Sequence, residues 1–182
     1  AGKLLGTYHY ATGAGAEREA DFYIDSIKNY IHRGILCIDW ESGGNAKWGD
    51  MGYLEALCKR VIARTGVKPI IYVQASEYGP VSAVAKRLDC GLWVAQYANM
   101  NQTGYQSHPW NEGAYQCAIR QYSSAGRLPG WNGNLDLDVF YGDRSAWNRY
   151  AQSNGTSKPS TPSVKPAPAP KQHHNNNNKN GK

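Results

Sequence analysis

The sequence has no long hydrophobic run. Its apolar stretches are a few residues at most, such as Ile35-Leu36-Cys37-Ile38, whereas a bilayer-crossing helix needs about 20. Membrane insertion is therefore not expected. No basic start followed by an apolar stretch opens the chain, so no secretory signal is legible, and the first residue is Ala rather than Met, which leaves localisation open. Also missing are G-x-x-x-x-G-K-[ST], G-x-G-x-x-G after a strand, H-E-x-x-H and G-x-S-x-G. Phosphoryl transfer, hydride transfer, zinc proteolysis and the common serine-hydrolase route thus have no starting residue. Cys37, Cys58, Cys90 and Cys117 stand 21, 32 and 27 residues apart, with no C-x-x-C and no flanking His pair, so zinc spacing is absent. Buried thiols acting as small hydrophobes are the simpler reading, with disulfides the alternative.

Acids are missing from the last part of the chain, and this decides how the charge is read. The formal net charge is +6 over 182 residues. Residues 1–150 hold 15 Lys and Arg against 14 Asp and Glu, a net of +1, while the remaining 32 residues hold five Lys and no acid. The excess belongs to the tail, and a nucleic-acid partner for the folded part is not expected. The tail also lacks aromatics: all 21 precede it. From about Ser153 the composition turns to Ser, Thr, Pro, Lys and Asn, as in Lys165-Pro166-Ala167-Pro168-Ala169-Pro170 and Asn175 to Asn178. Such a segment buries too little apolar area to offset its ordering entropy, so 153–182 reads as a disordered linker toward a module not present in the sequence. His173-His174 has no third ligand nearby and reads as incidental, so no metal and no organic cofactor is expected.

Strand-like and helix-like patterns alternate before the tail. Leu4–Ala11 is a strand candidate; Ala20, Tyr23, Ile24, Ile27 and Ile31 then recur at helical spacing up to a basic, glycine-closed end at Arg33-Gly34. Ile35–Glu41 is the second strand. Asp50 opens a helix with Leu54, Leu57, Cys58 and Val61 on one face, closed by Gly66, and Val67–Val73 is the third strand. Ser76 and Glu77 start a helix carrying Val81, Val84, Ala85 and Leu88, followed by strands over Gly91–Tyr97, Tyr115–Tyr122 and Leu135–Phe140 and a closing helix over Arg144–Ala151. Repeated strand-helix-strand units predict an α/β fold of parallel strands covered by helices, a doubly wound sheet or a barrel. A barrel carries its chemistry at the carboxyl ends of its strands.

The second strand ends Asp39-Trp40-Glu41, two acids that project from one face. Like charges that close split in pKa, so one is favoured to hold a proton near neutral pH, as a general acid for a glycosidic oxygen requires. A solvated strand end is the alternative. Asp136-Leu137-Asp138 repeats the pattern on the last strand; the two pairs face one cleft if a barrel closes, or Asp138 caps the turn toward Gly142. Tyr8, Tyr10, Tyr72, Trp93, Tyr97 and Tyr122 lie on or near strand ends, and together they favour a lined groove for sugar rings over separate core roles. His9 is out of phase with its Tyr neighbours and reads as a satisfied structural residue.

These segments resemble glycoside hydrolase family 25, the muramidases of phage endolysins and bacterial autolysins. The matching stretches are Gly6-Thr7-Tyr8-His9-Tyr10-Ala11, Ile38-Asp39-Trp40-Glu41, Pro69-Ile70-Ile71-Tyr72, Leu92-Trp93-Val94-Ala95-Gln96-Tyr97, Gln121-Tyr122-Ser123-Ser124 and Leu135-Asp136-Leu137-Asp138-Val139-Phe140, in the family's order. The resemblance implies a β/α barrel of the family 25 lysozyme type and hydrolysis of the β-1,4 bond between N-acetylmuramic acid and N-acetylglucosamine, a bacteriolytic, antimicrobial activity at the cell wall. It implies Glu41 as general acid, Asp39 as its partner and Asp136 as a further active-site carboxylate, with Tyr8, Tyr10, Tyr72, Trp93, Tyr97 and Gln121 as groove residues. Peptidoglycan strands are the implied partner, with a cell-wall-binding module linked through the tail. The enzyme would be phage-encoded and host-cytoplasmic before release, or secreted. Family members open with a strand bearing an Asp-x-Ser-like motif and a second strand before the Tyr-His-Tyr segment, where this chain begins. The expectation is therefore a catalytic domain over 1–152 short of its amino-terminal strands, with a catalytically impaired peptidoglycan-binding remnant as the other reading.

Overall fold

The computed structural model describes residues 2–152; the expectations for 153–182 lie outside them. Six strands form one sheet in chain order: β1 (Gly6–Tyr10), β2 (Ile35–Trp40), β3 (Ile70–Gln74), β4 (Gly91–Ala95), β5 (Ile119–Gly126) and β6 (Leu135–Phe140). The first five run parallel and β6 returns antiparallel to β5. Between them lie α1 (Ala16–Ser26), α2 (Met51–Thr65) and α3 (Tyr78–Leu88), and α4 (Arg144–Gln152) follows β6. Among the described residues β1 and β6 do not pair with each other, so the sheet curls as an open half-barrel.

Alternation along each strand sorts its side chains between two cores. The convex face sends Leu36, Ile38, Ile71, Val73, Leu92 and Val94 against the apolar stripes of the three helices, where Leu54, Leu57 and Val61 of α2 have no exposed surface. At about 25 cal/mol per Å² of apolar area removed from water, this layer is the main stabilising term of the fold. The concave face sends Ile35, Ile70 and Ile119 toward Trp93, Phe140, Trp147 and Tyr150. Helix α4 supplies the last two of these and closes the amino-terminal ends of the strands. Its Trp147 Nε1 donates to the Leu5 carbonyl at 3.1 Å and its Arg144 to the Gly2 carbonyl at 2.9 Å. That end is packed, so the open end is the carboxyl one.

Local chemistry fixes the helix ends. Asp50 caps α2 by accepting from Tyr53 N at 3.0 Å, and Gly66 ends it at φ 70, a left-handed conformation that costs glycine little. The first helix is shorter than its periodicity predicts. It stops at Ser26, and 27–33 run as turns with His32 at φ 64, yet Ile27 and Ile31 still pack on the convex core, which is why their spacing reads as helical. The strand expected over Tyr115–Tyr122 starts later, at Ile119, and runs on to Gly126.

Candidate functional site

Register places the acids and rings together. Tyr10 pairs with Asp39, Asp39 with Tyr72 and Tyr72 with Trp93, a single row across the concave face near the strands' carboxyl ends. The next row toward the carboxyl ends pairs Ala95 with Gln121 and Gln121 with Asp138 of β6. Glu41 follows β2 immediately and stands above Asp39. Hydrogen bonds lock the row: Tyr72 Oη donates to Gln121 Oε1 at 2.6 Å, Trp93 Nε1 to Asp138 Oδ1 at 2.8 Å, and Tyr10 Oη to the Gly43 carbonyl at 2.5 Å. The Tyr72 and Trp93 rings meet edge to face at 5.5 Å.

Two acids, Glu41 and Asp136, act on the titratable groups of the row. Burial pushes Asp39 up to about 7, and repulsion from Glu41 and then Asp136 adds to it. One of its oxygens, Oδ1, is buried with no hydrogen-bond partner among the described residues. Asp138 is also held up to about 7 by burial, opposed by its bond from Trp93 and reinforced by Asp136. Tyr10, Tyr72 and Tyr97 are each raised, burial first, and each feels Glu41. Thus Asp39, Glu41, Asp136, Tyr10, Tyr72, Trp93, Tyr97 and Gln121 are brought together. Tyr8 lies one layer lower on β1 and is 68% exposed; with Trp93 and Asp138 it lines a cavity of about 330 Å³ on the open side of the sheet.

Two expectations are corrected. Tyr122 is not part of the groove: it lies one position out of phase with Gln121, is buried, and accepts from Gln106 N at 3.1 Å under the loop joining β4 to β5. Asp138 does not cap the turn toward Gly142, because its carboxylate is committed to Trp93; Asp143 does the capping, accepting from Ala146 N at 2.7 Å. The alternating Asp136-Leu137-Asp138 pattern was the signal for Asp138 in the site. His9 faces the helices, where its Nε2 lies 3.1 Å from Glu19 Oε2. Burial pushes Glu19 up, but bonds from Thr12, Ala14 N and His9 outweigh it, so Glu19 is lowered and anchors the loop after β1. The four cysteines are free thiols. Among the described residues no group of three or more His, Cys, Asp or Glu is arranged to hold a metal, and no helix is long and apolar enough to cross a membrane.

A curled, mainly parallel sheet with neighbouring carboxylates and aromatic rings at one open end has the arrangement of a glycoside hydrolase. The sequence profile for glycosyl hydrolases family 25 matches residues 1–131, and the chain belongs to that family. Among solved structures the fold is similar to a bacterial lysozyme of Streptomyces coelicolor, 22% identical with a TM-score of 0.59 over 84% of this chain and 74% of that one. It is similar also to a glycosyl hydrolase 25 virulence factor of Streptococcus pneumoniae, 17% identical, TM-score 0.63, over 82% and 65% of the two chains. A family 25 lysozyme of Aspergillus fumigatus is 19% identical, TM-score 0.56, over 83% and 74%. An uncharacterized Escherichia coli protein, YegX, is 29% identical over 143 residues, 78% of this chain and 49% of that protein. The chain thus spans about half the length of that relative.

Proposed function

We propose that residues 1–152 form a peptidoglycan muramidase unit acting at the bacterial cell wall, cleaving the β-1,4 bond between N-acetylmuramic acid and N-acetylglucosamine. The observation that carries this reading is Asp39, raised to about 7 beside Glu41 at the mouth of an aromatic-lined cleft. Asp39, raised by burial, keeps a proton near neutral pH beside Glu41, two positions along the same strand face. Glu41, beyond the strand end, is the acid a glycosidic oxygen reaches, so it delivers the proton to the leaving sugar. The substrate's own 2-acetamido oxygen attacks the anomeric carbon as the glycosidic bond breaks, with Asp39 and Asp136 accepting from its N–H. Water then opens the cyclic intermediate and its proton returns to Glu41, so each turnover consumes one water. Substrate assistance of this kind departs from the usual two-carboxylate scheme. Tyr10, Tyr72, Trp93 and Tyr97 offer flat surfaces to sugar C–H faces.

Glycan binding without turnover is the second reading, favoured by the edges of β1 and β6, which pair with no further strand among the described residues. Borohydride reduction of digested peptidoglycan separates the readings by mass spectrometry of the new sugar ends. Muramitol ends are expected. Glucosaminitol ends would contradict the bond assignment, and binding with no new ends would establish the second reading.

A further inference from the structure

Outside the cleft, the segment from Gln96 to Trp110 folds over the convex side of β5, where Thr103 bridges to Gly126 and Arg127 N donates to the Thr103 carbonyl at 2.8 Å. Under it lies a second cavity of about 210 Å³, lined by Gln96, Asn99, Asn101, Gln102, Gln106 and Trp110 among others, with no charged side chain in its wall. The wall holds unspent hydrogen-bonding capacity. Among the described residues the side-chain amides of Asn101 and Gln102 have no partner, Gln106 uses its NH2 on Thr103 Oγ1 at 2.9 Å and keeps its carbonyl free, and the Asn99 carbonyl accepts from Asn101 N at 2.9 Å, leaving its NH2. Trp110, 55% exposed, adds an indole face.

One of these groups is oriented in advance. Arg120 is 1% exposed and meets no carboxylate among the described residues: its guanidinium donates to the Gln96 carbonyl at 3.0 Å, the Trp110 carbonyl at 3.2 Å, the Asn111 carbonyl at 3.4 Å and Gln96 Oε1 at 2.8 Å. Asn111 Nδ2 donates to the same Oε1 at 3.1 Å. A guanidinium can only donate, so the Gln96 side-chain oxygen is committed and its NH2 is the end left for a ligand. The same buried charge fastens both walls of the cavity, at Gln96 and at Trp110.

We infer that this cavity is a second glycan subsite, taking an N-acetylated sugar of the same polymer while the cleft holds the bond to be cut. A neutral wall with spare amide donors and acceptors beside one exposed indole matches hydroxyls, an acetamido group and a pyranose face, and it offers no charge to an ionic ligand. Gln96 of the cavity and Tyr97 of the cleft are chain neighbours, which sets the two sites on adjacent residues of one segment. The inference rests on the muramidase reading, and its test separates the two.

The test follows the indole N–H resonances of the Glu41→Gln chain while N-acetylglucosamine trimer is added, Trp110 being identified by the signal lost in Trp110→Phe. The Trp110 signal is expected to move, and to move less with the corresponding glucose trimer, which lacks the acetamido group. Movement of Trp93 reports the cleft independently. A Trp110 signal unmoved by the acetylated trimer overturns the subsite whether or not Trp93 responds; Trp110 moving while Trp93 stays still keeps the subsite and counts against the cleft. On polymeric peptidoglycan, Trp110→Ala is expected to raise KM roughly five- to tenfold with kcat unchanged, the worth of one ring contact. An unchanged KM would contradict the subsite.

Discussion

Replacing Asp39 by Asn is expected to stabilise the protein at neutral and higher pH while abolishing its function, and the size of the gain follows from burial. The carboxyl ordinarily titrates near 3.8 and is held up to about 7 in the fold. The folded state therefore binds the proton more tightly than the unfolded one, so Asp39 costs nothing below pH 4. Its cost grows as pH rises from about 4 to about 7 and is then constant. A displacement of about three pH units at about 1.4 kcal/mol each sets a ceiling near 4 kcal/mol. Relaxation and water entry reduce that, so a gain of about 2–4 kcal/mol is expected at pH 8. At pH 4 the neutral carboxyl and the amide are nearly equivalent, and the two proteins should agree within about 1 kcal/mol. Urea unfolding at both pH values reads the difference directly. An Asn variant no more stable than the parent at pH 8, or equally stabilised at both, would refute the buried-carboxylate account. Asp138 is raised to about 7 for the same first reason, so wild-type stability itself should fall between about pH 4 and 7.

Arg120→Met should lower stability by about 2–4 kcal/mol in the same unfolding assay, because it leaves the carbonyls of Gln96 and Trp110 without their donor; Arg120→Lys should recover part of the loss. Glycines at two positions should respond in opposite directions. A Cβ at Gly126 would stand 2.6 Å from the Leu135 carbonyl oxygen and 2.5 Å from Leu137 Cγ, so Gly126→Ala should cost about 1–3 kcal/mol. Gly104, in the loop between β4 and β5 with open space around it and no left-handed backbone, should gain about 0.4–1 kcal/mol on Gly104→Ala. Equal thermal shifts for the two would contradict the packing described.

The strand and helix order was legible because each apolar pattern is local: the short apolar run of Ile35 to Ile38, buried on both faces, and the stripe of Leu54, Leu57, Cys58 and Val61, buried on one, mark a strand and a helix. The first helix was over-read because Ile27 and Ile31 reach the same core from turns, and periodicity alone does not distinguish the two. Within the site, Asp39, Glu41 and the Tyr72 to Trp93 row could be anticipated from strand phase. The partnership of Trp93 with Asp138 could not, since it joins residues 45 positions apart across a sheet. Tyr122 was misplaced for a related reason: the shifted start of β5 and the loop above it decide which way that ring turns. The second cavity depends on Arg120, whose buried partners are all carbonyl oxygens, and no sequence pattern marks such a contact.

The central claim is that Glu41 carries the proton for glycoside cleavage. Release of reducing ends from purified peptidoglycan, measured for the chain beside its Glu41→Gln variant, tests it most directly. The account predicts turnover by the parent and a loss of about 10²- to 10⁴-fold in the variant, with its unfolding transition unchanged. Equal turnover by both proteins would contradict it.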